Sequence, residues 1–255
     1  MAYWNAPSDA IRVADAQKFA DGVLLALRKG QWLNSFITIH FDKAKLQSNA
    51  RPFLEWYLKQ CRDWLAYREA GSLSYAAVFE NKRHSENRGG FHVHMLLHVP
   101  YRLWDAFLAA EDRWVKSGLQ KYEGVYHPDV LWDLPVGNYE KLLLGQASER
   151  DYLKQLRGLV LYHLKGATGM DTPTFLGLDD DEKELLPSTS LPSFQGRVWG
   201  RRVSISHSLL ANGVSPPLYP DPDGSWLEHA EREARAGSDL HDATIGQSRV
   251  RRRTS

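Results

Sequence analysis

The strongest constraint in the chain is the run Gly89-Gly90-Phe91-His92-Val93-His94-Met95-Leu96-Leu97-His98-Val99-Pro100. It is short, apolar and bounded by a glycine pair and a proline, which predicts a buried strand and not a helix. Alternation along a strand puts His92, His94, Leu96 and His98 on one face and Phe91, Val93, Met95, Leu97 and Val99 on the other. The odd-numbered face is all core. On the even-numbered face two imidazoles sit about 7 Å apart along the backbone, within reach of one ion. A single histidine there reads as a satisfied core residue. Two at alternate positions leave neighbouring ring nitrogens to satisfy in a dry place, so the pair predicts metal ligation.

The flanking segments supply partners. Ser72 to Glu80 reads as a second strand, and the polar loop from Asn81 to Gly90 returns the chain as a hairpin, with Glu80 beside the start of the histidine strand. If Glu80 faces the side of His92 and His94, three ligands converge from two strands. Upstream, Ser35 to Phe41 alternates as a β-segment with Thr38 and His40 on a common face. Helical spacing marks Ser8 to Lys29, with Ser8 or Asp9 as cap, then Arg51 to Ala70, and a third segment from Leu103 to near Gly118. The stretch from Val125 to Leu134 is interrupted by turn residues and accommodates one or two short strands. Ser148 and Asp151 form a capping signature for a helix that Gly166 stops, with Leu153, Leu156, Val160 and Leu164 as its buried stripe. Tyr162 lies two residues from Val160, about 200° round the helix, so it and Lys165 one turn on are solvent-side or site-facing.

This ordered set (a strand with Thr38, a strand ending in Glu80, the His92-x-His94 strand, then Tyr162-x-x-Lys165 on a helix) resembles the HUH endonuclease superfamily, specifically rolling-circle replication initiators of plasmid and phage type. The resemblance spans about residues 33 to 168. Conjugative relaxases place the nucleophilic tyrosine before the histidine motif and initiators place it after, as here. The resemblance implies an α+β fold, a ferredoxin-like (RRM-like) antiparallel sheet with helices on one face and the active site on the other. It further implies Tyr162 as nucleophile assisted by Lys165, and a manganese or magnesium ion on His92, His94 and Glu80. Its substrate would be single-stranded or hairpin origin DNA, with host replication proteins as further partners. Thr38, His40, Arg197, Arg201 and Arg202 are the expected DNA contacts. Some initiators carry two catalytic tyrosines about one turn apart; Tyr152 and Tyr162 are nearly three turns apart, so one nucleophile is expected.

Composition narrows the rest. A net charge of +1 argues against wholesale electrostatic binding to nucleic acid and leaves room for local basic patches, at Arg197 to Arg202 and Arg249 to Arg253. The single cysteine, Cys61, excludes an internal disulfide framework and fits a reducing cytoplasm. No signal peptide or membrane span is expected. The acidic run Asp179 to Glu184 reads as a solvated loop. Residues 1–210 are expected to form the endonuclease domain, and 211–255 a largely disordered, basic-ended tail with a short helix near Trp226 to Ala236. Three other readings use parts of the same pattern: a transposase of the same superfamily, a 2-His-1-carboxylate iron oxygenase, and a metal-free single-strand-binding module. The oxygenase reading lacks a succession of short barrel strands. The binding module would want aromatics on the strand face where the histidines sit.

Overall fold

The computed structural model describes residues 7–82, 90–136, 139–184, 193–210 and 226–236. In chain order the elements are β1 (Pro7–Ser8), α1 (Val13–Arg28), β2 (Ser35–His40), α2 (Ala50–Tyr67), β3 (Tyr75–Lys82), β4 (Gly90–Leu97), α3 (Trp104–Lys121) and β5 (Leu131–Pro135). There follow α4 (Tyr139–Leu143), α5 (Glu149–Leu164), α6 (Thr172–Phe175), α7 (Asp180–Glu184), β6 (Val198–Trp199), β7 (Val203–Ile205) and a last helix, α8, over 226–236. The main sheet has the order β5-β2-β4-β3-β7, and each neighbouring pair is antiparallel. β1 pairs with β6 in a separate two-stranded ribbon.

Register follows from the alternation in the histidine strand. His40, His92 and Glu80 stand in one cross-strand row, and Trp132, Thr38, His94 and Val78 in the next. The odd-numbered residues Ile37, Ile39, Ala77, Phe79, Val93, Met95 and Leu97 pack with Phe53, Leu54, Tyr57 and Cys61 of α2 and with Phe107, Val115 and Leu119 of α3. Gly118 permits the close approach of these helices, since a Cβ there would lie 2.5 Å from the Trp56 ring.

The opposite face is not open, which corrects the expectation of helices on one side only. Ala76, Val78 and Leu96 are apolar on that face and need cover, and α1, α5 and α8 supply it with Phe19, Val23, Leu27, Leu153, Leu156, Val160 and Trp226. Among the described residues the end of the sheet carrying Thr38, His40, His92, His94 and Glu80 departs from this apolar lining. α1 begins at Val13 without a side-chain cap, so the expected Ser8 or Asp9 cap is corrected: Ser8 lies in β1, where its hydroxyl bonds to the Ala10 carbonyl. The predicted capping box of α5 is present, with the Ser148 hydroxyl accepting from the Asp151 amide and the Asp151 carboxylate accepting from the Ser148 amide.

The expected boundary at residue 210 also needs correction. Trp226, Ala230 and Ala234 of α8 are fully buried in the α1–α5 core. Arg28 at the end of α1 pairs with Glu233, one bond being 2.8 Å, and Arg150 at the start of α5 lies 2.6 Å from Glu231. The basic run Arg249 to Arg253 and most of the β3–β4 loop lie outside the described residues. The acidic run, expected as a loop, contributes the short helix α7. Among the described residues no helix is long and apolar enough to cross a membrane.

Candidate metal centre

Hairpin pairing of β3 with β4 sets Glu80 directly opposite His92. All three predicted ligands are buried, Glu80 at 2%, His92 at 7% and His94 at 5% exposure. Nε2 of His92 lies 3.1 Å from Nε2 of His94, and Oε2 of Glu80 lies 3.4 Å from the first and 3.9 Å from the second. Two ligand atoms each about 2.1 Å from an ion at octahedral angles are about 3.0 Å apart, so the spacing fits a shared cation. Among the described residues this is the one group of three such donors that converges.

The far sides of the rings are fixed. The Gly90 carbonyl lies 2.8 Å from Nδ1 of His92 and can only accept, so Nδ1 carries a proton and Nε2 faces the centre. Gly90 has φ of +90°, and a Cβ there would lie 1.9 Å from the Asp42 carboxylate that accepts from the Phe91 amide. Glycine is therefore required where the carbonyl must turn towards His92. Nδ1 of His94 lies 2.8 Å from the Thr38 hydroxyl, the outer bond that orients a ligating imidazole. Burial, reinforced by the neighbouring His92 and His163 and by Lys165, pushes His94 well below the ordinary histidine range and keeps it a neutral donor.

α5 brings the second group of side chains. The Tyr162 hydroxyl lies 3.2 Å from Nε2 of His94. Lys165, buried at the end of the helix, sets its Nζ 3.0 Å from Oε1 of Glu80 and 3.4 Å from the centroid of the Tyr162 ring. Glu80 thus links the imidazole pair through one oxygen and the ammonium through the other. Burial alone would raise its carboxyl; the hydrogen bond to His92 and the charge of Lys165 outweigh that and hold it below its ordinary value. Tyr162 is pushed up to about 12, first by burial and then by the Glu80 charge, so the phenol is protonated at neutral pH.

The other sequence candidates fall into distinct places. Tyr152 is core: it is fully buried and its hydroxyl donates to the Leu33 carbonyl at 2.8 Å. His98 stands at the far end of β4, with Nδ1 2.7 Å from the Trp32 carbonyl, away from the ligands. Thr38, expected at the DNA, is 3% exposed and supports His94 instead. His40 is on the site rim, its ring 5.3 Å from His92, and burial lowers it to about 4. Arg202 corrects the expectation of a phosphate contact, because its buried guanidinium bonds to the carbonyls of Ser8, Phe79, Gln195 and Gly196 and ties the β6–β7 turn to β3. Arg197 and Arg201 are exposed, with Arg197 paired to Asp9 at 3.0 Å.

Three neighbours were not singled out from sequence. Phe36 stacks on His94 at 5.5 Å, His163 lies behind it with ring centroids 6.0 Å apart, and Trp132 of β5 meets His40 edge-on at 5.0 Å. Phe36 and His163 had a findable signal: Phe36 shares the alternation of Thr38 and His40, and His163 directly follows Tyr162. Trp132 sits in a turn-interrupted segment with no usable period.

Comparisons of the chain with protein-family models, with curated proteins and with solved structures gave no match. Function is accordingly argued from the side chains.

Proposed function

We propose that this chain nicks and rejoins single-stranded DNA through a covalent 5′-phosphotyrosine at Tyr162, in the manner of rolling-circle replication initiators. The observation that carries the reading is the Tyr162 hydroxyl 3.2 Å from His94 Nε2, with Lys165 bridging the phenol ring and Glu80. A metal-binding trio needs neither a tyrosine nor a lysine; a phosphoryl transfer that conserves bond energy needs both a nucleophile that stays attached and a charge to stabilise it.

The phenol oxygen forms a bond to phosphorus, the bond to the 3′ oxygen breaks, and the proton lost by Tyr162 is balanced by the one gained by the released 3′-hydroxyl. Lys165, over the ring, favours the anionic form of a phenol that burial otherwise keeps protonated. His92, His94 and Glu80 would hold a manganese or magnesium ion, which supplies Lewis-acid stabilisation of the charge on the scissile phosphate. Thr38 and the Gly90 carbonyl keep the two rings aimed.

The core order β2-α2-β3-β4-α3-β5, with strands arranged β5-β2-β4-β3, supports reading it as ferredoxin-like with β7 added at one edge. Placement of Tyr162 after the histidines favours an initiator over a conjugative relaxase, and a transposase is the nearest alternative. The same three donors suit ferrous iron in an oxygenase, but the Tyr162–Lys165 pair set against them favours phosphoryl transfer.

The test is Tyr162→Phe, which keeps the ring and removes the attacking oxygen. With labelled single-stranded DNA and manganese, the wild type should give a protein–DNA adduct on a denaturing gel, mapped to Tyr162 by peptide mass spectrometry, and the variant none. An adduct at Tyr152, or free 5′-phosphate products without adduct, would overturn the assignment.

A further inference from the structure

β5 is an edge strand of the main sheet, and its even-numbered side chains Trp132 and Leu134 stand on the face of the metal centre, opposite Thr38 and Phe36. Both are exposed, Trp132 by 48% and Leu134 by 54%. A single exposed tryptophan needs no explanation. Trp132 differs in being flanked by a ring and a cation while nearly half of it stays open. It meets the His40 ring at 5.0 Å in a T-shaped contact, and Lys43 places its ammonium 5.1 Å from the ring centroid. Asp129 is in turn paired with Lys43 at 2.9 Å and approached by His127 at 3.9 Å, so the charges beside the ring are largely matched. The ring has little orientational freedom left to lose when something lies on it.

The position relative to the chemistry is also fixed. From β5 across β2 to β4 is two strand spacings, about 10 Å, so a flat group on Trp132 lies roughly that far from the histidine pair. His40 fills the space between, in contact with both Trp132 and His92.

We infer that Trp132 is a stacking platform for an unpaired nucleobase of the strand whose phosphate reaches the His92–His94–Glu80 centre, with Leu134 extending the apolar surface. The inference rests on the proposed single-strand chemistry and adds how the strand is positioned. Stacking requires a free base face, which a duplex does not offer, so the platform selects single-stranded over double-stranded DNA without reading sequence.

The experiment uses the full chain and a mixed-sequence single-stranded 30-mer carrying 5-iododeoxyuridine, with the matching duplex as control. Irradiation of the wild-type complex should crosslink the DNA to Trp132. Trp132→Ala should weaken single-strand binding by about ten-fold or more and leave duplex binding unchanged. Trp132→Leu keeps apolar bulk at the edge without an aromatic face and should be as weak, whereas Trp132→Phe should recover most of the affinity. Metal-induced stabilisation should be the same in all three variants, which separates lost stacking from misfolding. Crosslinks elsewhere together with unchanged affinity in Trp132→Ala, or equal weakening for single strand and duplex, would overturn the platform. Metal-dependent nicking by the wild type alongside that result would leave the proposed function standing; a crosslink at Trp132 without any nicking would keep the platform and remove the nuclease. Absence of single-strand binding by the wild type would overturn both.

Discussion

Replacing Lys165 by methionine keeps the length of the side chain and removes one charge from a site that is sealed from water. In the wild type the ammonium lies 3.0 Å from Glu80, and neither side chain is more than 6% exposed. Coulomb's law at that distance with an effective dielectric of about 20 gives roughly 5 kcal/mol of attraction. Removing one partner of such a pair costs about 3–5 kcal/mol, because the other charge is left buried and uncompensated. Without metal, Lys165→Met should therefore unfold at markedly lower denaturant, by about 3 kcal/mol. A divalent ion on the other Glu80 oxygen restores positive charge, so saturating manganese should stabilise the variant more than the wild type, by linkage to folding. The pH dependence should change as well. In the wild type Glu80 titrates below its ordinary value when folded, so its contribution is present above the ordinary carboxylate range and is lost as pH falls through the depressed value. Without Lys165 burial dominates, the folded value rises, and metal-free stability should fall as pH climbs. Urea titrations at several pH values, with and without manganese, measure all of this. Equal loss in both metal states, or no loss, would refute the electrostatic reading of the site.

Three further outcomes are expected. Thr38→Val removes the bond to Nδ1 of His94 and should weaken metal binding by about 10–100-fold with the fold retained, as isothermal titration would show. Gly90→Ala forces a side chain into a φ of +90° and into Asp42, so it should lower both stability and metal affinity; an unaffected metal titration would show that His92 does not depend on the Gly90 carbonyl. On the other face of the sheet, Glu111 is buried with Asp133 and accepts from the Tyr57 hydroxyl; burial first, then Asp133, push Glu111 well above the carboxylate range, and burial raises Asp133 to about 6. Both values are raised on folding, so wild-type stability should fall as pH rises above about 4.5, and Glu111→Gln should flatten that slope and be about 2 kcal/mol more stable than wild type at pH 8. Matching slopes by chemical denaturation would count against these raised carboxyl values.

The parts of the site legible in sequence are those governed by a fixed local period. Two-residue alternation placed His92 and His94 together, and a hairpin return placed Glu80 opposite them. The helical angle between Val160 and Tyr162 separated a site-facing tyrosine from the buried stripe. What was missed depends on contacts between distant segments. Thr38 has the same spacing whether it meets DNA or His94. Arg202 stands in a basic run that reads as a phosphate contact, and only the β6–β7 turn folding onto β3 surrounds it with carbonyls. Cover on the second face followed from Ala76, Val78 and Leu96, whose apolar character was legible but which α1, α5 and α8 reach from distant parts of the sequence.

The burial of Trp226 bears on how the basic C-terminus should be dissected. Trp226 is the largest fully buried side chain among the described residues, and it fills the core that α5, the carrier of Tyr162, shares with α1. Excising a side chain of that size from a core costs about 3–5 kcal/mol. A cut after Ala236 removes the basic end, Arg249 to Arg253, and leaves this wall intact, so any loss of DNA affinity belongs to the removed tail and not to the core. A cut after Leu210 also removes the wall on which the helix of the proposed nucleophile rests, and the resulting inactivity would be a packing defect with the outward look of a DNA-binding one.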